Sequence, residues 1–451
     1  MKFSDINSNN HCPLEGTLGV FLRRLTFLVM LALSFTTSAQ QTPAPKQSEQ
    51  VAIFGATAHI GNGEVIENCT IIFTDGKITA IGSDLMAPTI GTMIDAKGKH
   101  VYPGIIAPSK SLGLVEVDAV RATDDQDEIG EMIPHVRSII AYNAESKVVE
   151  SMRPNGVLLG QVTPQGGTIS GTSSIVQFDA WNWEDAAVKT DDGIHLNWPS
   201  FFRRGRWWMG EDRGYIPNKE YTGQVGDIEV FFQNSNAYGK SAEKETNLPF
   251  EAMSGLFDGS KHLYIHANGE KEMTDAVAAV KKAGVKNVVI VGGYRANKIA
   301  DFLKENNVPV LVNLTHSLPE YDDDDYDLPY KLPKLLVDAG LLVGLQNEGA
   351  ANFQTRNLPF YAGQTVGQGL DKETALQLVT GNTAKILGID DRYGTLEVGK
   401  SATLFISEGD ALDMRTNKLS KAYIDGRDVS LETHQTELWK RYMGKYEGEG
   451  K

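Results

Sequence analysis

Hydrophobic and polar positions follow two rhythms along this chain. From Val51, "VAIFGATAHIGNGEVIENCTIIFTDGKITAIG" gives short Val- and Ile-rich runs cut by "GNG" and "TDGK". That is the turn chemistry of an antiparallel sheet. The texture returns in "YGTLEVGKSATLFI" and "KAYIDGRDV". Neither stretch is large enough to fold alone. The pattern therefore predicts one β-sandwich made from both chain ends, residues 51–100 and 391–430.

Between them the rhythm changes. "HLYIHA", "KNVVIVGG", "VPVLVNL" and "LLVGLQ" are short unbroken apolar runs, separated by helical segments such as "EKEMTDAVAAVKKAG" with Gly284 as its stop. Such runs predict parallel βα units covered on both faces. Over residues 101–390 the simplest α/β body is a (β/α)8 TIM-like barrel, with a doubly wound sheet as second choice. From 155 to 245 this rhythm fails in Gly-, Ser- and Trp-rich sequence, which predicts a β-rich insertion at about 160–223 over one end of the barrel.

The ends of the chain add a compartment. Arg23 and Arg24 precede "LTFLVMLALSF" and then "TTSAQQ", the pattern of a secretory signal over residues 1–39. The apolar run falls short of the roughly 20 residues of a membrane span. Residues 40–50 read as a linker and 431–451 as a C-terminal tail. Cleavage after Ala39 would remove Cys12 and leave Cys69 alone, without an internal disulfide. The expected location is periplasmic or secreted, with no membrane attachment once the signal is removed. A net charge of −15 argues against nucleic acid or an anionic membrane as partner.

The order of pieces resembles the amidohydrolase superfamily, particularly its imidazolonepropionase-like members. "IDAKGKHVYPGII" resembles the lead into the first barrel strand, "LYIHANGEKEM" the fifth-strand segment, and "LVTGNTAKILGIDDRYGTLEVGKSATLFI" the last helix and return to the sandwich. The resemblance implies a hydrolase of carbon–nitrogen bonds with zinc or another divalent metal at the barrel mouth. Its ligands would be His-x-His on strand 1, His on strands 5 and 6, and Asp on strand 8. Aligned to those slots stand Ser109 and Ser111 flanking Lys110, then His266, Gly292 and Asn347. One ligand of five cannot hold zinc, which takes at least three protein donors. The expectation from these residues is that no cofactor is used.

Other chemistry is sparse. His266 and Glu348 are candidate catalytic residues, and Ser109, Ser111, His266, His316 and Asn347 a candidate pocket. His316 could equally pin its own loop, and Glu348 could face away from Asn347's side of the strand. Glu116 and Asp118 offer a second carboxylate source for a glycosidase-like pair. The run Glu320–Asp327 lacks the Gly and spacing of a Ca²⁺ loop and reads as a solvated acidic loop. Trp181, Trp183, Trp198, Trp207 and Trp208, with Arg203, Arg204 and Arg206, could form a binding surface or pack the insertion down. Two functions remain open. One is a hydrolase acting on a small-molecule or peptide-like substrate. The other is a non-catalytic relative that binds a ligand or pairs with a homologous partner subunit or a copy of itself.

Overall fold

The computed structural model describes residues 42–447 apart from 84, 86–89, 206, 212–213 and 244. The signal-like segment 1–39 lies outside the described residues, as does Arg206. The chain divides into two units, residues 1–42 and 43–451, and the fold below belongs to the second.

Two eight-stranded sheets build it. The first takes β1 (Val51–His59), β2 (Val65–Thr74), β3 (Lys77–Gly82), β4 (Thr92–Asp95) and β5 (His100–Pro103) from the N-terminal side. From the C-terminal side come β16 (Leu404–Ser407), β17 (Leu419–Ile424) and β18 (Arg427–Val429). The splice is the antiparallel pairing of β5 with β16, Leu404 opposite Pro103. Ile53, Ile71, Phe73, Val101, Leu404 and Tyr423 bury its core from both chain ends. At about 1.5–3 kcal/mol per large apolar side chain, such burial needs both halves.

The second sheet is the barrel, in the order β6 (Ile105–Lys110), β7 (Val157–Val162), β8 (Ile169–Gln177), β9 (Ala187–Asn197), β12 (His262–Ala267), β13 (Asn287–Gly292), β14 (Val310–Val312) and β15 (Val343–Leu345). β8 runs antiparallel to both β7 and β9, while the other adjacent pairs are parallel. The cause is the short "TPQGGT" link between β7 and β8, which turns on Gly166 and Gly167 at positive φ. A parallel crossover takes a dozen or more residues, so this link permits only a hairpin. The stretch expected as an insertion is thus corrected: β8 and β9 are barrel wall. What projects is the hairpin of β10 (Phe202–Arg204) and β11 (Tyr215–Pro217).

The sheet is closed by a suture. Leu345 N–H donates to Leu378 O and Ile106 N–H to Val379 O, both at 2.9 Å, so Leu378–Val379 bridges β15 and β6. Ile106, Leu159, Ile175, Tyr264, Val291 and Leu311 pack with the helix Gly381–Leu387 in one cluster, which fills the lumen as barrels of this kind require. The C-terminal tail carries a helix, His434–Glu447. No helix among the described residues is long and apolar enough to cross a membrane.

The stretch read as a linker is pinned down. Gln47 Oε1 accepts from Gly76 N–H at 2.8 Å, and Ala44 N–H donates to Asp179 at 2.9 Å. Asp179 also receives Arg153 and Arg427, each at 2.9 Å, and is almost fully buried. This carboxylate ties the barrel to the last sandwich strand. Removing one partner of such a buried ion group leaves the others uncompensated, at a cost of about 3–5 kcal/mol. Asp179→Ala is expected to lose that much stability in urea unfolding; a loss below about 1 kcal/mol would show the triad to be dispensable.

Candidate functional site

The C-terminal ends of the barrel strands open on a cavity of about 500 Å³, lined among others by Trp198, His266, Gly292 and Glu348. The hairpin forms one wall. Alternation along its strands turns Phe202, Arg204 and Tyr215 toward this cavity, and Arg203 and Ile216 toward a neighbouring one of about 940 Å³.

His266 stands one residue from the end of β12, at the mouth. Its Nδ1 lies 2.9 Å from Glu348 Oε1 and 3.0 Å from Oε2. Its Nε2 lies 2.9 Å from Nδ1 of His195 on β9. His195 is 0% exposed and stacks on Tyr264 at 4.7 Å and 14°. Burial, and then the neighbouring His266, pull its pKa well below 6.5, so His195 is neutral. Tyr264 is fixed from below: its hydroxyl donates to Asp192, which also accepts from Ser173 and Gln161, each at 2.8 Å. These bonds hold the Tyr264 ring to one geometry, while the buried Nε2 of His195 has no partner among the described residues.

Glu348 follows β15 and its side chain keeps 27% exposure. Burial alone would raise its pKa. The His266 imidazole and the Lys110 ammonium outweigh that and hold the carboxyl below its ordinary range. Lys110 reaches this neighbourhood because β6 bulges: its register with β7 slips between Ala107 and Lys110, and Ser109 adopts φ 53°. Such a bulge re-aims the following side chain. Lys110 Nζ donates to Ala350 O at 2.7 Å and Asn347 O at 3.3 Å, and burial pushes its pKa down to about 8 against the pull of Glu348.

An ionised carboxylate only accepts hydrogen bonds, so His266 Nδ1 carries the proton toward Glu348. Its other nitrogen is occupied by His195. Both nitrogens of His266 are therefore spoken for, and the group with lone pairs left to face the cavity is Glu348.

The candidate pocket residues do not all meet here. Val343 and Leu345 face the outer core while Gly344 touches Leu311 in the lumen, so Gln346 and Glu348 face inward and Asn347 outward. Asn347 is buried against Thr355, its amide 3.2 Å from the hydroxyl. Ser111 bonds Asn352. Ser109 is buried, with its amide donating to Gln161 and its hydroxyl unpartnered among the described residues. His316 packs edge-on against Tyr361 at 5.1 Å, and burial lowers its pKa. Among the acidic run, Asp324 binds Tyr294 and Arg295, each at 2.7 Å. Trp198 is buried and donates to Tyr221, whereas Trp181, Trp207 and Trp208 are exposed. Sequence motifs give no signal for His195, because "GIHLN" reads as part of the insertion. A strand count would have found it, since eight strands require wall before residue 260.

Known proteins resemble this arrangement. A model of the amidohydrolase family matches residues 349–429. No curated protein matches the chain. An amidohydrolase from Thermotoga maritima superimposes with a TM-score of 0.73 at 23% identity, over 84% of this chain and 99% of that one. The chain has the amidohydrolase fold. A Xaa-Pro dipeptidase with methionine bound in its active site gives 0.53 at 16% identity, covering 84% of this chain and all of that one. Molinate hydrolase gives 0.51 at 12%, over 87% and 96%.

These findings correct one expectation. No cofactor was expected from the substituted slots, but the superfamily that the fold and the family model point to is metal-dependent, so that expectation does not stand. Among the described residues no three His, Cys, Asp or Glu side chains gather as a metal-binding group. His195, His266 and Glu348 are bonded in line rather than converging on one point. The residues described do not present the family's ligand set, and no step below runs through a metal.

Lys110 gives a pH signature. Its folded pKa of about 8 lies under the ordinary 10.5, so between these values the unfolded chain holds the extra proton and stability from this group rises with pH. The wild type is expected to gain stability relative to Lys110→Met from pH 8 to 10 in urea unfolding. A difference that stays flat would place the Lys110 amine in water.

Proposed function

We propose that this chain is an exported hydrolase of amide-type carbon–nitrogen bonds, taking a small-molecule or peptide-like substrate into the mouth cavity. The amidohydrolase match and fold support a hydrolase, and the Xaa-Pro dipeptidase among the similar folds supports a peptide-like substrate. The observation that carries the reading is Glu348, held on His266 and left open to the cavity.

In this reading Glu348 takes a proton from a water molecule as that water attacks the carbonyl carbon. It then returns the proton to the departing nitrogen. His266 keeps its Nδ1–H on the carboxylate throughout and fixes the direction of its free lone pairs. His195 stays neutral and holds the far side of the ring.

A ligand-binding role without catalysis is favoured by a different observation, the Ser, Gly and Asn side chains in the family's ligand slots. One experiment separates the two. The purified chain is assayed for amine release from a panel of dipeptides and N-acyl amino acids, alongside Glu348→Gln. Hydrolysis by the wild type, with kcat lowered about 100-fold or more in the variant and KM little changed, is the expected result. Ligand binding without turnover, or full turnover by the variant, would overturn the proposal.

A further inference from the structure

A second line of titratable groups lies away from the mouth, between the sandwich and the barrel. His59 ends β1 and His100 begins β5. His59 Nδ1 meets Glu373 Oε1 at 2.8 Å, and His59 Nε2 meets His100 Nδ1 at 3.0 Å. Glu373 belongs to the helix Lys372–Gln377, capped by Asp371. The His59 ring lies flat on Tyr102, 4.3 Å away and 3° from parallel. Asp410 pairs with Lys372 at 2.7 Å. The groups facing the two imidazoles are therefore Glu373 and Lys372 from the helix, Tyr102 from β5, and Asp410 after β16.

This helix runs straight into Leu378–Val379, the suture between β6 and β15. Those two strands bring Lys110 and Glu348 to the mouth. The helix is thus continuous in chain with the two residues that bond β15 and β6.

We propose that His59, His100 and Glu373 form an acid-released latch that keeps this helix, and through it the barrel seam, closed at neutral pH. The facing nitrogens of His59 and His100 share one proton. When both rings are protonated, two N–H groups point at each other and the contact is lost, leaving two cations beside the Glu373 carboxylate and the Lys372–Asp410 pair. Burial, then His59, lowers the proton affinity of His100 below that of an ordinary histidine, with Lys372 adding to this and Asp410 and Glu373 opposing it. A depressed histidine favours the folded state above its ordinary pKa and loses that contribution as the pH falls. Release accordingly belongs below about pH 6.5. The latch is independent of which reaction the mouth performs.

Hydrogen exchange read by mass spectrometry tests it, on the full chain at pH 7 and pH 5 with rates corrected for intrinsic pH dependence. Peptides spanning 371–379 are expected to open about tenfold more at pH 5, while the strand 262–267 stays protected. In His100→Asn, whose amide accepts a hydrogen bond but gains no proton, 371–379 should stay closed at both values. Equal exchange of 371–379 at the two pH values, equal loosening of 262–267, or an unchanged acid response in the variant would overturn the latch. If the variant does not fold, the wild-type comparison decides alone.

Discussion

An imidazole has two ring nitrogens, and His266 uses both inside the protein. One is held by Glu348, the other by His195 at 2.9 Å. That double commitment settles much of the chemistry the mouth can perform. It removes the histidine as the group that meets a substrate and leaves the carboxylate in its place. The second contact falls on His195, a ring stacked on Tyr264 that full burial keeps neutral. The Asp192 network beneath Tyr264 is the foundation of the line, because a tilt of that ring would move His195 and then His266.

The same mouth depends on how the barrel is closed. β15 and β6 are joined through Leu378–Val379 rather than by a run of mutual hydrogen bonds. Lys110 stands on one side of this seam and Glu348 on the other. The helix before the suture leans on the sandwich through His59 and His100, and β18 is tied to the barrel through Asp179. Splitting the sandwich between the chain ends thus has a mechanical result: the barrel is held by both parts of the accessory sheet, at the helix before the seam and at Asp179 after β8.

Much of this was legible in the sequence and some was not. The barrel and the two-part sandwich followed from apolar periodicity, because strands covered on both faces read as unbroken runs and half-covered ones alternate. The reversal of β8 was hidden: the same Gly-rich composition marks a tight hairpin inside a wall and a loop outside it. At the site, His266 and Glu348 read as candidates from their places at strand ends, and both line the mouth cavity. Asn347, a candidate pocket residue, lies one step from Glu348 and bonds Thr355, and in a strand one step changes the face. His195 carries no motif of its own. Its importance comes only from β9 lying beside β12, a neighbour relation that sequence spacing does not encode.

The most direct test of this account is the ¹⁵N chemical shifts of the His195 and His266 side chains, measured by long-range ¹H–¹⁵N correlation in the intact protein from pH 5.5 to 8. The account predicts that His195 stays in a single neutral tautomer across the range, and that His266 keeps a proton on Nδ1 throughout. A His195 that gains a proton near pH 6.5, or a His266 with a bare Nδ1, would contradict it.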